Sequence, residues 1–358
     1  MVVGRGRATF LGLGRGEEFM THQSRRIGTV LATVPYGPED LETLRQVFAH
    51  ARFLHFRSDD WDNITEALQV ADVAVLEGDI DDRILAGPKL RWVHCDHAGL
   101  NKTARPSVFD SGLVVTGSAG RSASALAQHA FYFALALALD GPGLLERQKQ
   151  HIWRGLPGYA DRVGLWGKTL GLVGYGHTAQ EMARLGKAFG MRVLVYRRSV
   201  TPTPPEVDLL YCAERGETVD QVVREADVLM LACRLTDETY HLIDAKRLAS
   251  MKRTGYVINL ARGSVIDEDA LVDALISGEI AGAGLDVFET EPLQPHARIW
   301  SAPNVLISPH VTPRLPDRTQ RSIRMIAENA RLFQAGKPML NQLQASDLYT
   351  KGDLISSN

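Results

Sequence analysis

The sequence predicts an α/β protein of two domains, each a doubly wound parallel sheet. Three observations carry that reading. Apolar runs of strand length alternate with helical patterns from about residue 26 to residue 334. The chain has 358 residues, which suggests two domains rather than one. A strand, a glycine turn, an amphipathic helix and a second strand follow one another over residues 169–199, the unit from which dinucleotide-binding sheets are built.

Composition narrows the class. The chain is 45% hydrophobic and 23% charged with a net charge of -2. That balance gives no general attraction to nucleic acid or to an anionic membrane, so neither is expected as a partner. The apolar run 130–139 is too short to cross a bilayer and reads as a buried helix, which makes a cytoplasmic protein the expectation. Cys95, Cys212 and Cys233 are far apart and show neither disulfide nor metal-ligand spacing. They read as reduced, buried fillers, and no metal site is expected.

Residues 1–25 differ from the rest. They are rich in glycine and arginine, lack a secretory apolar core and show no periodicity, so a disordered extension is expected, with Met20 as a candidate start. Gly12-Leu13-Gly14-Arg15-Gly16 imitates a dinucleotide motif, yet no strand of proper length precedes it and no helix pattern follows. Organised structure begins near Arg26. Strands are expected at 27–34, 52–56, 73–76, 90–95 and 113–116, with helices at 38–48, 63–70 and 81–86, and Trp92 in the core. His97, Ala98 and Gly99 open a loop at the carboxyl end of a strand, where open α/β sheets bind ligands, and its backbone N–H groups can grip a carboxylate.

The run SASALAQHAFYFALALALD, residues 122–140, predicts a deeply buried helix leading into the second domain. Residues 141–150 are polar, and the glycine-rich stretch 155–167 leads to the strand 169–173. Gly174, Gly176 and Ala179 then fall in a G-x-G-x-x-A pattern. Gly174 permits the tight turn, Gly176 lets a pyrophosphate approach the backbone, and the small Ala179 lets the next helix pack close. The free N–H groups and positive dipole end of that helix, near His177, would face the phosphates.

The strand 192–196 ends in Arg197, Arg198 and Ser199, where an Asp or Glu would accept from the ribose 2′-OH of NAD. One guanidinium about 4 Å from a phosphate charge is worth on the order of 1 kcal/mol in water and about 4 at an intermediate dielectric. NADP(H) is therefore expected over NAD(H), which stays possible. Pro202, Pro204 and Pro205 end any helix. Beyond them the rhythm continues with helix 218–224, strand 228–232, helix 244–251, strand 256–260, helix 267–277, strands 281–287 and 305–308, and a closing helix 315–334.

Five stretches, LRWVHCDHAGLNK, GKTLGLVGYGHTAQEMARLGKAFGMRVLVY, GYVINLARGSVIDEDALVDAL, AGAGLDVFETEP and NVLISPHVT, occur in an order and spacing that resemble the D-isomer-specific 2-hydroxyacid dehydrogenases. The resemblance covers residues 26–343. It implies two Rossmann-like, flavodoxin-like domains, the cofactor domain inserted into the substrate domain. Residues 26–120 and 313–345 would form the substrate domain, 121–312 the dinucleotide-binding domain, and 346–358 a polar tail.

Reducing a 2-oxo acid requires a hydride at C2, a proton at the carbonyl oxygen, and a cation that holds the carboxylate and polarises the carbonyl. Arg262, in the turn after strand 256–260, offers a rigid fork of donors. His310, after Ser308-Pro309, can serve as general acid if a carboxylate raises its ordinary pKa of about 6.5, and Glu291 is the candidate. The resemblance assigns the catalytic roles to these three. Singly, each has a plainer reading: a salt-bridge arginine, a loop carboxylate before Pro292, a satisfied loop histidine. Three matched blocks together outweigh those readings.

The resemblance also implies that Tyr175, Thr178, Ala232, Cys233, Leu260 and Ala261 line the cofactor. It places Asp286 near the nicotinamide, with a structural turn aspartate as the alternative. His97, Ala98 and Gly99 join Arg262 and His310 at the substrate. Arg234 stands where relatives often have Pro, and reads either as help for a 2′-phosphate or as a solvent-facing arginine. Leu126-Ala127-Gln128-His129 lacks a carboxylate that many members carry, and Thr312 and Pro313 replace glycines after His310. The implied substrate is a small 2-oxo acid of the glyoxylate or hydroxypyruvate class, and a homodimer through the apolar helix is expected. A short phosphoglycerate dehydrogenase-like enzyme is the alternative within the class, and a dinucleotide-sensing, corepressor-like binding protein the alternative outside it.

Overall fold

The computed structural model describes residues 25–153, 158–159, 162–311 and 315–351. The expected N-terminal extension apart from Arg25, as well as Thr312, Pro313 and residues 352–358 of the tail, lies outside the described residues.

The first sheet contains β1 (Thr29–Ala32), β2 (Arg52–His55), β3 (Val73–Leu76), β4 (Trp92–Cys95) and β5 (Val114–Gly117), all parallel in the order β2-β1-β3-β4-β5. Strands β3 and β4 are buried at every residue, as parallel strands covered on both faces must be. The covering helices are α1 (Pro38–Val47), α2 (Trp61–Leu68), α3 (Asp82–Leu85) and α4 (Pro106–Asp110). Side chains alternate between two apolar layers, with Leu31, Ala74 and Val93 in one and Val30, Val75 and Trp92 in the other. Trp92 is fully buried, and its indole N–H donates to Thr116 Oγ1 at 2.9 Å.

From β5 the chain enters α5 (Ala123–Ala138) and then α6 (Gly141–Lys149). The second sheet holds β6 (Thr169–Val173), β7 (Arg192–Arg197), β8 (Leu209–Cys212), β9 (Val228–Leu231), β10 (Tyr256–Asn259), β11 (Gly282–Leu285) and β12 (Val305–Ile307). They run parallel in the order β12-β11-β10-β9-β6-β7-β8. The order reverses at β6, which creates a crevice at the carboxyl ends of β6 and β9. Helices α7 (His177–Ala188), α8 (Asp220–Glu225), α9 (Ala245–Ser250) and α10 (Glu268–Ser277) connect the strands. Finally α11 (Arg318–Gln334) packs back on α1, and Phe333 meets Trp92 with ring centroids 5.6 Å apart.

Three elements escape the sequence pattern. Helix α6 buries no residue and so carries no apolar stripe; it forms because Asp140, at φ 55°, caps it through a hydrogen bond from Gly143 N–H at 3.2 Å. Strand β8 is four residues on the sheet edge, and α4 is a single short turn begun by Pro106. Two expectations need correction. Helix α5 is not deeply buried all round: Tyr132 is 62% exposed, because the helix covers β10, β11 and α7 with one side only. Cys95 and Cys212 are buried, but Cys233 is only half-buried, since it follows β9 at the open carboxyl edge. No described helix is long and apolar enough to cross a membrane.

Candidate active site

The crevice is built for an anionic ligand. Gly174 turns the chain at φ +92°, and a Cβ there would lie 2.8 Å from Ala232 O and Cys233 N, so only glycine lets β6 and the end of β9 approach this closely. A Cβ on Gly176 would meet nothing within 4 Å, so space lies open above that residue. Gly176 is also the N-cap of α7 and offers no side-chain cap, which leaves the first N–H groups of the helix without one. Ala179 is fully buried against the sheet, as the third small position requires. Tyr175 and Thr178 are half-buried and His177 is exposed, with its ring packed over Gly120 at the junction of the two units.

The three expected catalytic residues lie together on loops at the carboxyl edge of the second sheet. His310, at φ +51°, brings Nδ1 to 2.6 Å from Glu291 Oε2, and Phe288 N–H donates to Glu291 Oε1 at 2.9 Å. The hydrogen bond to Glu291 raises the His310 pKa above its ordinary value, against the opposing effects of burial and of the Arg262 charge. Burial pushes Glu291 up, but the bonds from His310 and from Phe288 N–H prevail and hold it below the usual carboxylate range. Burial also pulls down the Arg262 guanidinium, opposed by Glu291 and Asp79.

Arg262 is aimed across the interface between the units. Its Nε donates to Asn101 Oδ1 at 2.9 Å and its Nη1 to Ala261 O at 2.7 Å. A Cβ on Gly99 would fall 1.1 Å from Arg262 Nη2, so the guanidinium lies directly on the Gly99 backbone. His97 sits beside it, with Nε2 3.6 Å from Asp79 Oδ1; burial lowers its pKa, more than Asp79 restores. The loop of His97, Ala98 and Gly99 therefore does meet the catalytic arginine, although the two come from different sheets.

The sequence did not single out three positioning residues, Asn101, Asn259 and Ser308, which act together with the expected Asp286. Asn101 orients Arg262 from the substrate side. Asn259 ties the Arg262 turn by accepting from Ala261 N–H at 3.0 Å and donating to Arg262 O at 2.9 Å. Ser308 donates to Asp286 Oδ1 at 2.5 Å and lies 3.3 Å from His129 Nε2. Asp286, 1% exposed, also accepts from Val311 N–H at 2.9 Å, while its carbonyl accepts from His310 N–H at 2.8 Å. Its carboxylate thus braces the loop that presents His310. Asn101, Asn259 and Ser308 are ordinary polar residues inside matched blocks, and their partners are invisible without the fold.

The three arginines expected at the adenosine end divide into two groups. Arg197 donates to Thr201 Oγ1 at 2.8 Å and, among the described residues, forms no ion pair. It borders a cleft of about 350 Å³ with Tyr175, Arg184, Thr201 and Glu206. Arg198 instead points to the other face of the sheet, as strand alternation dictates, and meets Arg234 at a common partner, Asp347. Arg234 is therefore an ion-paired arginine rather than a freely solvated one. Ser199, Leu260 and Ala261 lie at the ends of β7 and β10, with Leu260 buried. Among the described residues no group of His, Cys, Asp and Glu is arranged to hold a metal ion.

Comparison with known proteins gives consistent likenesses. Residues 131–312 match the family model described as D-isomer specific 2-hydroxyacid dehydrogenase, NAD binding domain. A glyoxylate reductase of Aeropyrum pernix is 32% identical over 320 residues, covering 86% of this chain and 93% of that protein. A glyoxylate reductase of Korarchaeum cryptofilum is 33% identical over 298 residues, covering 79% and 88%. Among solved structures, a D-isomer specific 2-hydroxyacid dehydrogenase from Xanthobacter autotrophicus in complex with NADPH and MES is 27% identical, with a TM-score of 0.74 over 89% of this chain and 99% of that one. The D-lactate dehydrogenase of Aquifex aeolicus, complexed with NAD and lactic acid, is 25% identical with a TM-score of 0.69 over 86% and 96%.

Proposed function

The chain belongs to the D-isomer-specific 2-hydroxyacid dehydrogenases, oxidoreductases acting on the CH–OH group of 2-hydroxy acids, and we propose that it reduces a small 2-oxo acid of the glyoxylate or hydroxypyruvate class with NADP(H) preferred. The observation that carries the proposal is the pairing of His310 with Glu291 beside Arg262, itself laid on the Gly99 loop. Arg262 holds the substrate carboxylate and polarises the carbonyl with its fixed fork, while the N–H groups of Ala98 and Gly99 add donors, that of His97 being bonded to Cys95 O at 2.8 Å. His310 delivers the proton to the carbonyl oxygen from the nitrogen not bonded to Glu291, and Glu291 keeps the ring protonated and oriented beforehand. In the reverse direction the same ring takes the hydroxyl proton.

The crevice fits a dinucleotide by its own geometry: the open space over Gly176, the close approach at Gly174 and the uncapped start of α7. A bound nicotinamide cofactor supplies or accepts the hydride. Gly174, Tyr175, Gly176, His177 and Thr178 would hold its pyrophosphate, and Ala232, Cys233, Leu260, Ala261 and Asp286 would border the nicotinamide side. Arg197, which forms no ion pair among the described residues, and Ser199 support the choice of NADP(H), with Arg198 and Arg234 nearby.

The domain division follows the same reading, with 26–120 and 313–345 as the substrate domain and 121–312 as the inserted cofactor domain. Two contacts support the return of the chain: α11 packs on α1, and Ser118 Oγ lies 3.2 Å from Ser322 Oγ. The three cysteines are free, as suits a reducing cytoplasm.

The test is a panel of glyoxylate, hydroxypyruvate and 3-phosphohydroxypyruvate with NADPH and with NADH. Glyoxylate or hydroxypyruvate should turn over, with the higher kcat/KM for NADPH. An NADH preference of about tenfold overturns the cofactor reading, a difference equivalent to about 1.4 kcal/mol. Turnover confined to 3-phosphohydroxypyruvate favours the phosphoglycerate dehydrogenase-like alternative instead.

We also infer a homodimer. Tyr132 on α5, Leu145 on α6, and Trp153 and Trp166 beyond them leave large apolar side chains in water, at 62, 53, 92 and 80% exposure. Light scattering at micromolar concentration should give twice the chain mass of 39.4 kDa, and a monomeric mass would refute the pairing.

A further inference from the structure

The end of β7 lacks the acidic residue that grips an adenosine ribose, but a carboxylate reaches the same place from the far end of the chain. Residues 345–347 form a short 3-10 turn whose Asp347 is 3% exposed. Its Oδ2 accepts from Gln344 N–H at 3.0 Å and from Arg234 Nη1. Its Oδ1 lies 3.5 Å from Arg198 Nη2 and makes no hydrogen bond among the described residues, although it is buried. Arg198 is further held by Ser346, whose carbonyl accepts from Nη1 at 2.7 Å. The two cations come from the ends of β7 and β9, the strands that bound the ribose side of a dinucleotide crevice. Asp347 bridges them.

The segment that carries Asp347 is not a solvated tail. Leu343 N–H donates to Val115 O at 2.8 Å, which fixes its start on the first sheet. Tyr349, 6% exposed, donates its N–H to Ala104 O at 2.8 Å, again on the substrate side. Leu348 O accepts from Asp237 N–H at 3.1 Å, and Thr350 N–H donates to Asp237 Oδ1 at 2.8 Å, both on the cofactor side. Anchored on both units, the strap holds the carboxylate in place instead of letting it drift into solvent.

We propose that Asp347 is a cofactor-specificity residue, a carboxylate lent by the C-terminal strap to the adenosine-ribose subsite, where it offsets one of the two positive charges of Arg198 and Arg234 and opposes a 2′-phosphate. Its carboxylate, sheltered from solvent beside the two cations, acts on the subsite through its charge, which water screens little at that depth. Arg197, which forms no ion pair among the described residues, and the one uncompensated charge of the Arg198–Arg234 pair are left to favour the phosphate. Selectivity for NADP(H) is then smaller than three arginines would give, and Asp347 sets the difference. The proposal rests on the dinucleotide lying in this crevice, as argued above.

Binding rather than turnover tests it. NADP+ and NAD+ are titrated calorimetrically, without substrate, into the full chain and into Asp347→Asn, which keeps an oxygen for Gln344 N–H. The ratio of Kd(NAD+) to Kd(NADP+) should rise about tenfold, equivalent to about 1.4 kcal/mol. Asp347→Ser, smaller but still polar, should shift the ratio the same way and serves where the first variant folds poorly. A purely structural role weakens both cofactors together and leaves the ratio unchanged; that result, or a shift toward NAD+, overturns the proposal. The wild-type ratio separately tests the NADP(H) reading, so a wild-type preference for NAD+ refutes that reading while a shift in the variants still supports the role of Asp347.

Discussion

His310→Gln should lower kcat for 2-oxo acid reduction by about 100- to 10,000-fold, the range a positioned general acid supplies, with little change in the melting temperature. The small structural cost follows from the position of the ring. It is 45% exposed, sits on a loop, and is bonded through its side chain to Glu291. Glutamine can still donate a hydrogen bond to Glu291 but has no proton to transfer. The pH profile gives a second and more specific signature. Because the bond to Glu291 raises the His310 pKa, kcat/KM for reduction should hold at low pH and fall as pH rises through that raised value. In Glu291→Gln the fall should move to lower pH, toward the ordinary value of about 6.5. The stability contributed by the pair is fully present between the unfolded Glu291 and His310 pKa values; it is lost as pH rises through the raised folded value of His310 and as pH falls through the lowered folded value of Glu291. A Glu291→Gln profile with an unmoved alkaline limb would remove Glu291 from this role.

Gly99→Ala should cost about hundredfold in kcat/KM, the penalty expected when a catalytic group is misplaced by about 1 Å. The new Cβ would stand 1.1 Å from Arg262 Nη2 and 2.0 Å from Cζ, so the guanidinium must leave its position and with it the bond to Asn101. The clash is with the far end of a flexible side chain, so the fold tolerates it: circular dichroism and the melting temperature should change little. A variant that keeps wild-type kcat/KM would show that Arg262 does not act from the observed position.

The local parts of the structure were legible from the residues. The β6 and β3 boundaries match the apolar runs to the residue, because strands buried on both faces are unbroken hydrophobic segments. The turn at Gly174 was legible for a similar reason, since a positive φ and a close backbone approach leave a mark in one residue type. The resemblance named Arg262, Glu291 and His310, and the fold brings all three together. What was hidden includes α6, held by a single cap on a helix that buries nothing, and the braces Asn101, Asn259 and Ser308, whose types are common and whose partners are remote.

The arginines at the end of β7 show the division most clearly. The sequence by itself determined that cations, and no acidic residue, follow that strand. Only the tertiary structure decided which of them stay available. Strand alternation sends Arg197 and Arg198 to opposite faces of the sheet, and Arg234 finds its counter-ion 113 residues further along the chain, in a stretch that reads as a polar tail. The physical reason is range. Backbone preference and apolar periodicity act over a few residues and are written locally, whereas a charge is balanced by whatever carboxylate the completed fold brings within reach.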